Sequence, residues 1–211
     1  MSSWAPGLAL QLLKESALAQ DCALCGAAAR ALVCAECAAD LPRDPGMTDV
    51  RAPFAYRFPV DRMVQRFKAG GDLALGRWLA ERLADHVRED RRPDVVVAAP
   101  LGPRRLRARG FNQSLEIARV VAHRLGVACP RRALAKVRET RPQQGLGRRG
   151  RQRNLRGAFT CTRALRGRRV AIVDDVVTTG ATMLAITAAL HRAGVRSVSW
   201  WAVARAPRRP R

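Results

Sequence analysis

The segment from Arg169 to Gly194 restricts the choice of fold more than any other part of the chain. Arg169-Val170-Ala171-Ile172-Val173 is a short continuous apolar run, the pattern of a strand covered on both faces. Two carboxylates, Asp174 and Asp175, follow at once, and then Val176, Val177, Thr178, Thr179 and Gly180. A helix is predicted from about Gly180 to Ala193, with Ala181, Leu184, Ala185, Ala188 and Ala189 on one side and Gly194 as its stop. A buried strand that runs through a hydroxyl- and glycine-bearing turn into a helix is a βα unit of a parallel sheet. Its chemistry suits a sugar phosphate. The N–H groups at the helix start, the helix dipole and the hydroxyls of Thr178, Thr179 and Thr182 can hold a phosphate dianion. Gly180 lets backbone approach the ligand. Asp174 and Asp175 can accept from ribose hydroxyls or face a Mg²⁺. The plainer alternative makes Asp174 a helix N-cap and the threonines turn formers. Adjacent carboxylates at the end of an apolar strand are costly without a partner, which favours the ligand.

The other periodic segments extend the same plan. Residues 94–99 and 197–203 read as further strands, and 60–69, 72–90 and 112–125 as helices, the last closed near Gly126. Strands alternating with helices give an α/β fold, a mostly parallel sheet flanked by helices. Residues 41–53, with Pro42, Pro45, Gly46 and Pro53, read as a linker. Residues 138–157, rich in Arg, Gln and Gly, read as a mobile basic loop. The expected organisation is an amphipathic helix over 1–20 carrying Trp4, Leu8, Leu12 and Leu13, a cysteine-bearing unit over 21–41, and the α/β domain over 50–211.

Cys22-x-x-Cys25 and Cys34-x-x-Cys37 are separated by eight residues. Two such knuckles bring four thiolates to one tetrahedral Zn²⁺, and four protein ligands leave no open position, so the expected site is structural. The alternative is a pair of disulfides, which a reducing compartment disfavours. Cys129 and Cys161 lie far off in sequence and read as small hydrophobes.

Charge narrows the function classes. Against 17 acidic side chains stand 39 basic ones, a net of +22. The excess lies beyond residue 50, and 131–169 holds fourteen basic side chains against Glu139 alone. Such a field calls for an anionic partner, phosphate esters or nucleic acid. Arg148, Arg149, Arg151, Arg153 and Arg156 could line a path for a single strand, though such paths also use stacking platforms and only 5% of the residues are aromatic. A basic cover serving a small ligand alone is the competing reading. No run of eighteen apolar residues is present, so membrane insertion is not expected. Ala17-Leu18-Ala19 mimics a signal-peptidase site, but no basic residue precedes the apolar run and Lys14-Glu15 breaks it, so a cytoplasmic location is expected. Gly145-Leu-Gly147-Arg-Arg-Gly150 has dinucleotide-loop spacing without a preceding strand, and there is no Walker-type GxxxxGK. His86, His123 and His191 lie on predicted helices with no metal-like partner.

The Val170–Thr182 segment resembles the phosphoribosyl pyrophosphate (PRPP) motif of type I phosphoribosyltransferases. Further stretches are similar to the competence protein F (ComF) family. They are Phe67-Lys68-Ala69-Gly70-Gly71-Asp72, the run from Pro100 through Arg104, Arg105, Arg107, Arg109 and Gly110 to Phe111-Asn112-Gln113, and Thr140-x-x-Gln143-x-x-Leu146-x4-Arg151-x-x-Asn154-x4-Phe159. The double CxxC fits as well, and Ala69 stands where the family often has an aromatic. The resemblance implies a zinc ribbon joined to a type I phosphoribosyltransferase-like domain. Val176, Val177, Thr178, Thr179, Gly180, Ala181 and Thr182 would hold the 5′-phosphate of PRPP, and Asp174 and Asp175 its ribose. Pro100, Leu101, Gly102, Arg104 and Arg105 would hold the pyrophosphate. The loop with Gln143, Arg148, Arg149, Arg151 and Asn154 would cover the site or meet nucleic acid. Mg²⁺ would accompany PRPP. The implied role is natural competence, with single-stranded DNA and DNA-uptake proteins as partners. The alternative is a phosphoribosyltransferase of nucleotide metabolism with no DNA role, and a third reading is a sugar-phosphate-binding module without chemistry.

Overall fold

The computed structural model describes residues 20–46, 49–138, 155 and 157–207. It divides into two compact units, Met1–Leu41 and Pro42–Arg211. The helix expected over 1–20 lies outside the described residues except for Gln20, which is extended.

In the first unit, strands β1 (Gln20–Asp21) and β2 (Ala28–Ala29) pair antiparallel, and a short helix α1 (Ala35–Ala39) follows. Cys34 is the N-cap of that helix, its sulfur accepting from the Cys37 amide at 3.4 Å.

The second unit opens with strands β3 (Val50–Arg51) and β4 (Phe54–Ala55), helices α2 (Val60–Gly70) and α3 (Leu73–His86), and strand β5 (Val95–Ala98). Helices α4 (Pro103–Arg109) and α5 (Gln113–Leu125) follow, then strands β6 (Leu134–Lys136), β7 (Phe159–Cys161) and β8 (Arg169–Val177). Helix α6 (Ala181–Arg192) and strand β9 (Ser197–Arg205) complete it. The central sheet has the order β3-β9-β8-β5, β4 also pairs with β9, and every pairing in it is parallel. Its middle is apolar throughout: Val96, Ile172, Val173 and Ala202 are fully buried. The Asp94 carboxylate takes the Arg169 amide at 2.9 Å and its guanidinium at 2.5 Å, which fixes the start of β5 against β8.

Four features depart from expectation. The linker over 41–53 contributes β3, and Arg43 forms a bridge to Phe54 in β4. Phe54 is fully buried and stacks on Trp78 at 6.2 Å, so burial of one aromatic draws the segment onto the sheet edge. Strand β8 continues four residues past Val173, because β9 is equally long and pairs as far as Val177 with Arg205. A helix begins at Pro103, which occupies the first helical turn behind Gly102. Strands β6 and β7 form an antiparallel hairpin.

Asp44 and Arg205 close the unit. The Arg205 Nε donates to both Asp44 oxygens at 2.8 and 3.0 Å, and the side chains are only 1% and 10% exposed. Asp44→Asn leaves a buried guanidinium without its counter-charge and should lower stability by about 3–5 kcal/mol in urea unfolding. A loss under about 1 kcal/mol would mean that the pair is solvated in solution.

Candidate functional site

The four cysteines of the first unit converge. All four sulfur atoms lie within 4.8 Å of one another, with Cys25 and Cys34 at 3.9 Å. Four thiolates around one Zn²⁺ stand about 3.8 Å apart, so this donor set fits a tetrahedral soft-ligand ion. All six cysteines of the chain are free. Amides of Cys25, Cys34 and Leu24 aim at the Cys22 sulfur and lower its pKa to about 6, while the sulfurs of Cys34 and Cys25 push the Cys37 thiol up. The first thiolate forms easily and a further one is opposed, so the cluster asks for a cation.

The second site is at the C-terminal ends of β5 and β8, where open α/β sheets bind ligands. A cleft of about 240 Å³ opens there. The acid pair lies inside β8, with Asp174 opposite Ala202 and Val176 opposite Ala204. Only Thr178, Thr179 and Gly180 therefore remain as the turn before α6. Gly180 has φ +72°, a left-handed conformation in which any side chain is strained, and it delivers the chain directly into the helix. Val176 to Met183 also border a second hollow of about 30 Å³ next to Asp174. The N–H groups of the first turn of α6 have no carbonyl partner in their own helix, an arrangement suited to an anion.

Successive side chains of a strand diverge, so the two carboxylates meet different partners. Asp174 Oδ1 accepts from the Ser114 hydroxyl at 2.8 Å and the Asp175 amide at 2.9 Å. Asp175 Oδ1 accepts from the Val176 amide at 2.6 Å, and its Oδ2 lies 3.0 Å from Lys68 Nζ. Burial, and then the neighbouring Asp175 charge, pushes the Asp174 carboxyl up to about 7, against the opposing pull of Ser114, the Asp175 amide and Lys68. The Asp174 carboxyl therefore keeps its proton to higher pH than an exposed carboxyl would.

The opposite wall is the turn after β5. Asn112 caps α5 by accepting from the Ser114 amide at 3.1 Å, and its own amide donates to Ala99 O at 3.1 Å, which ties the turn to the start of α5. Pro100, Leu101, Gly102 and Arg105 line the cleft, but Arg104 does not. Four residues along one helix is one turn and three is nearly so, so Arg109 shares the face of Arg105 and lines the cleft too, while Arg104 points about 100° away. Arg109 is aimed by a hydrogen bond to Gln113 Oε1 at 3.0 Å.

Lys68, Arg109, Ser114, Lys136 and Phe159 belong to the cleft without having been assigned roles from sequence. A helix placed at Pro103 would have paired Arg109 with Arg105. Composition held a second signal: the chain has three lysines, and two of them, Lys68 and Lys136, line this cleft. Gln143, Arg148, Arg149, Arg151 and Asn154 lie outside the described residues. The residues that flank them, Lys136 on one side and Leu155 and Phe159 on the other, line the cleft.

The family described as phosphoribosyl transferase domain matches residues 74–211. The chain is 35% identical over 192 residues to the DNA utilization protein YhgH of Salmonella typhimurium, covering 87% of this chain and 83% of that one. It is 32% identical over 160 residues to competence protein F of Haemophilus influenzae, covering 72% of this chain and 70% of the relative. Among solved structures, the allosteric regulatory enzyme of purine biosynthesis aligns with 61% of this chain and 25% of its own, at 24% identity and a TM-score of 0.43.

Proposed function

Since the chain belongs to the competence protein F family of phosphoribosyl transferase-domain proteins, we propose that its cleft binds PRPP and that the protein acts in handling incoming single-stranded DNA. The observation that carries this reading is the assembly of an acid pair, a helix-start loop and four cationic side chains in one cleft. In the bound state the loop from Val176 to Thr182 holds the 5′-phosphate. Asp174 and Asp175 accept from the ribose hydroxyls. Pro100 to Gly102 present backbone to the diphosphate, and Arg105 and Arg109 neutralise it. Bound Mg²⁺ would supply further charge neutralisation at the diphosphate, beside Arg105 and Arg109. Cys22, Cys25, Cys34 and Cys37 hold Zn²⁺ in a structural role.

If an acceptor nitrogen attacks ribose C1, the C1–O bond to diphosphate breaks and diphosphate leaves with the bonding electrons. The chain's contribution to such a step is positioning and stabilisation of the leaving anion by Arg105 and Arg109. This enzymatic reading, without a DNA role, is the alternative. The DNA reading draws on the names of the relatives and on the charge of 131–169, which exceeds what one diphosphate requires. The reading includes a cytoplasmic location and DNA-uptake proteins as partners. No described helix is long and apolar enough to cross a membrane.

Titration of the zinc-loaded chain with Mg²⁺·PRPP, repeated with a short single-stranded oligonucleotide, tests the proposal. Saturable PRPP binding and DNA binding that weakens steeply with salt are expected. Arg148→Ala/Arg149→Ala/Arg151→Ala should weaken DNA binding and flatten its salt dependence. PRPP binding with no DNA affinity at low salt would leave the transferase reading, and screening for pyrophosphate release would follow.

A further inference from the structure

The corner between α4 and α5 brings two polar side chains together. Arg109 is the last residue of α4, and Gly110 follows in the left-handed region at φ +76°, where the helix ends and the chain turns. Phe111 then packs on the buried Phe67 with ring centroids 5.7 Å apart. Asn112 caps α5 and is tied to Ala99 O at 3.1 Å. Gln113 thereby opens α5 at a fixed place, and its Oε1 accepts from Arg109 Nη1 at 3.0 Å. The next residue, Ser114, donates to Asp174 at 2.8 Å, so consecutive side chains of α5 reach the two walls of the cleft.

Gln113 is 0% exposed. A guanidinium only donates, so the amide oxygen faces it and the NH2 group is turned away. That Nε2 meets no acceptor among the described residues. A buried donor without an acceptor bears its full desolvation cost, whereas an apolar side chain of the same length bears none. Packing alone therefore favours methionine here over glutamine. What glutamine adds is the bond to Arg109. Arginine is among the side chains that lose most rotamer freedom on ordering, and Arg109 is an exposed residue, so a fixed acceptor holds its guanidinium in one place. The acceptor is neutral, which leaves the charge of Arg109 for an anion in the cleft.

We propose that Gln113 is a positioning residue that sets the preference of the cleft for PRPP over ribose 5-phosphate, by holding Arg109 at the diphosphate end. The inference rests on the PRPP reading of the site and deepens it. In that reading the 5′-phosphate and the ribose lie on the loop from Val176 to Thr182 and on the acid pair, and only the diphosphate meets Arg109. Gln113 itself lines neither the cleft nor the smaller hollow, so its effect passes through Arg109. Only a ligand that carries the diphosphate should register its loss.

Calorimetric titration of the full zinc-loaded chain with PRPP and with ribose 5-phosphate, Mg²⁺ present throughout, tests this. Wild type should bind PRPP more tightly than ribose 5-phosphate. Gln113→Met should lose about tenfold in PRPP affinity, the scale of one hydrogen bond to a charged group, and stay within about twofold for ribose 5-phosphate. Arg109→Met should lose at least as much for PRPP, and adding Gln113→Met to it should change the affinity by less than about twofold, because the two side chains act as one unit. Gln113→Met should also melt at or above the wild-type temperature, which a residue needed for the fold would not do. The proposal is overturned if Gln113→Met leaves PRPP affinity unchanged, weakens both ligands equally, costs the same with and without Arg109, or melts well below wild type. PRPP binding by wild type in any of those cases leaves the PRPP reading standing. If wild type does not bind PRPP at all, that reading fails, and this inference with it.

Discussion

Asp174→Asn/Asp175→Asn should abolish measurable PRPP binding, a loss of at least about a hundredfold in calorimetry. Each carboxylate accepting from a ribose hydroxyl contributes on the order of 1.5–3 kcal/mol, and an amide both weakens that bond and turns a donor toward the hydroxyl. A fold defect is separable from this loss, because the single change Asp174→Asn should stabilise the empty protein above pH 7. Its folded pKa is raised to about 7 from 3.8, in the first place by burial and then by Asp175. Below about pH 4 both folded and unfolded chains keep the proton, so the group is neutral to stability. As pH rises from there to about 7, the unfolded chain releases the proton while the folded chain retains it, so stability falls. Above about 7 the folded chain has ionised too, and the loss is complete. Asparagine never carries this charge. The variant should melt above wild type at pH 8 and close to it at pH 4. A variant that loses ligand and melts lower at both values would reduce the acid pair to a structural element.

Removing the metal should have the second large effect. Between residues 20 and 40 the only buried apolar side chains are Cys22 and Val33, and the regular elements are two two-residue strands and one five-residue helix. So little core cannot offset the entropy of ordering the segment. Structural zinc sites contribute on the order of 10–16 kcal/mol of apparent stability. The purified chain should contain one zinc, and Cys34→Ser should lose it, because it removes one of the four clustered sulfurs while leaving a residue that can still cap α1. Limited proteolysis should then cut within 20–41, where the metal-loaded chain resists. Full retention of zinc by Cys34→Ser, or unchanged protection after chelation, would remove the metal from the account.

The catalytic-looking end of the sheet was legible in the sequence because its signals are local. An apolar run, an acid pair, a glycine and an alanine-rich helix lie within twenty-five residues, and the two CxxC knuckles lie within sixteen. The elements that escaped notice are set by tertiary contact. Strands β3 and β4 are two residues each and exist because β9 offers them an edge and Phe54 finds Trp78. The extension of β8 through the acid pair needs the partner length of β9. The hairpin of β6 and β7 joins three-residue strands whose register is closed by Lys136 opposite Phe159, far apart in sequence. Arg109 reaches the cleft because a helix begins at Pro103 and sets it one turn beyond Arg105, whereas the pyrophosphate turn expected from sequence ended at Arg105. Lys68 meets Asp175 across more than a hundred residues, and nothing local to either one announces the other.

Amide hydrogen exchange with and without PRPP is the measurement that tests the central claim most directly, because it reports where the ligand sits as well as whether it binds. The account predicts that PRPP slows exchange in two separate stretches, Val176–Thr182 and Ala99–Arg105, with little change at the edge strands β3 and β4. Binding that leaves both stretches unchanged, or protects only segments remote from Asp174 and Asp175, would contradict it.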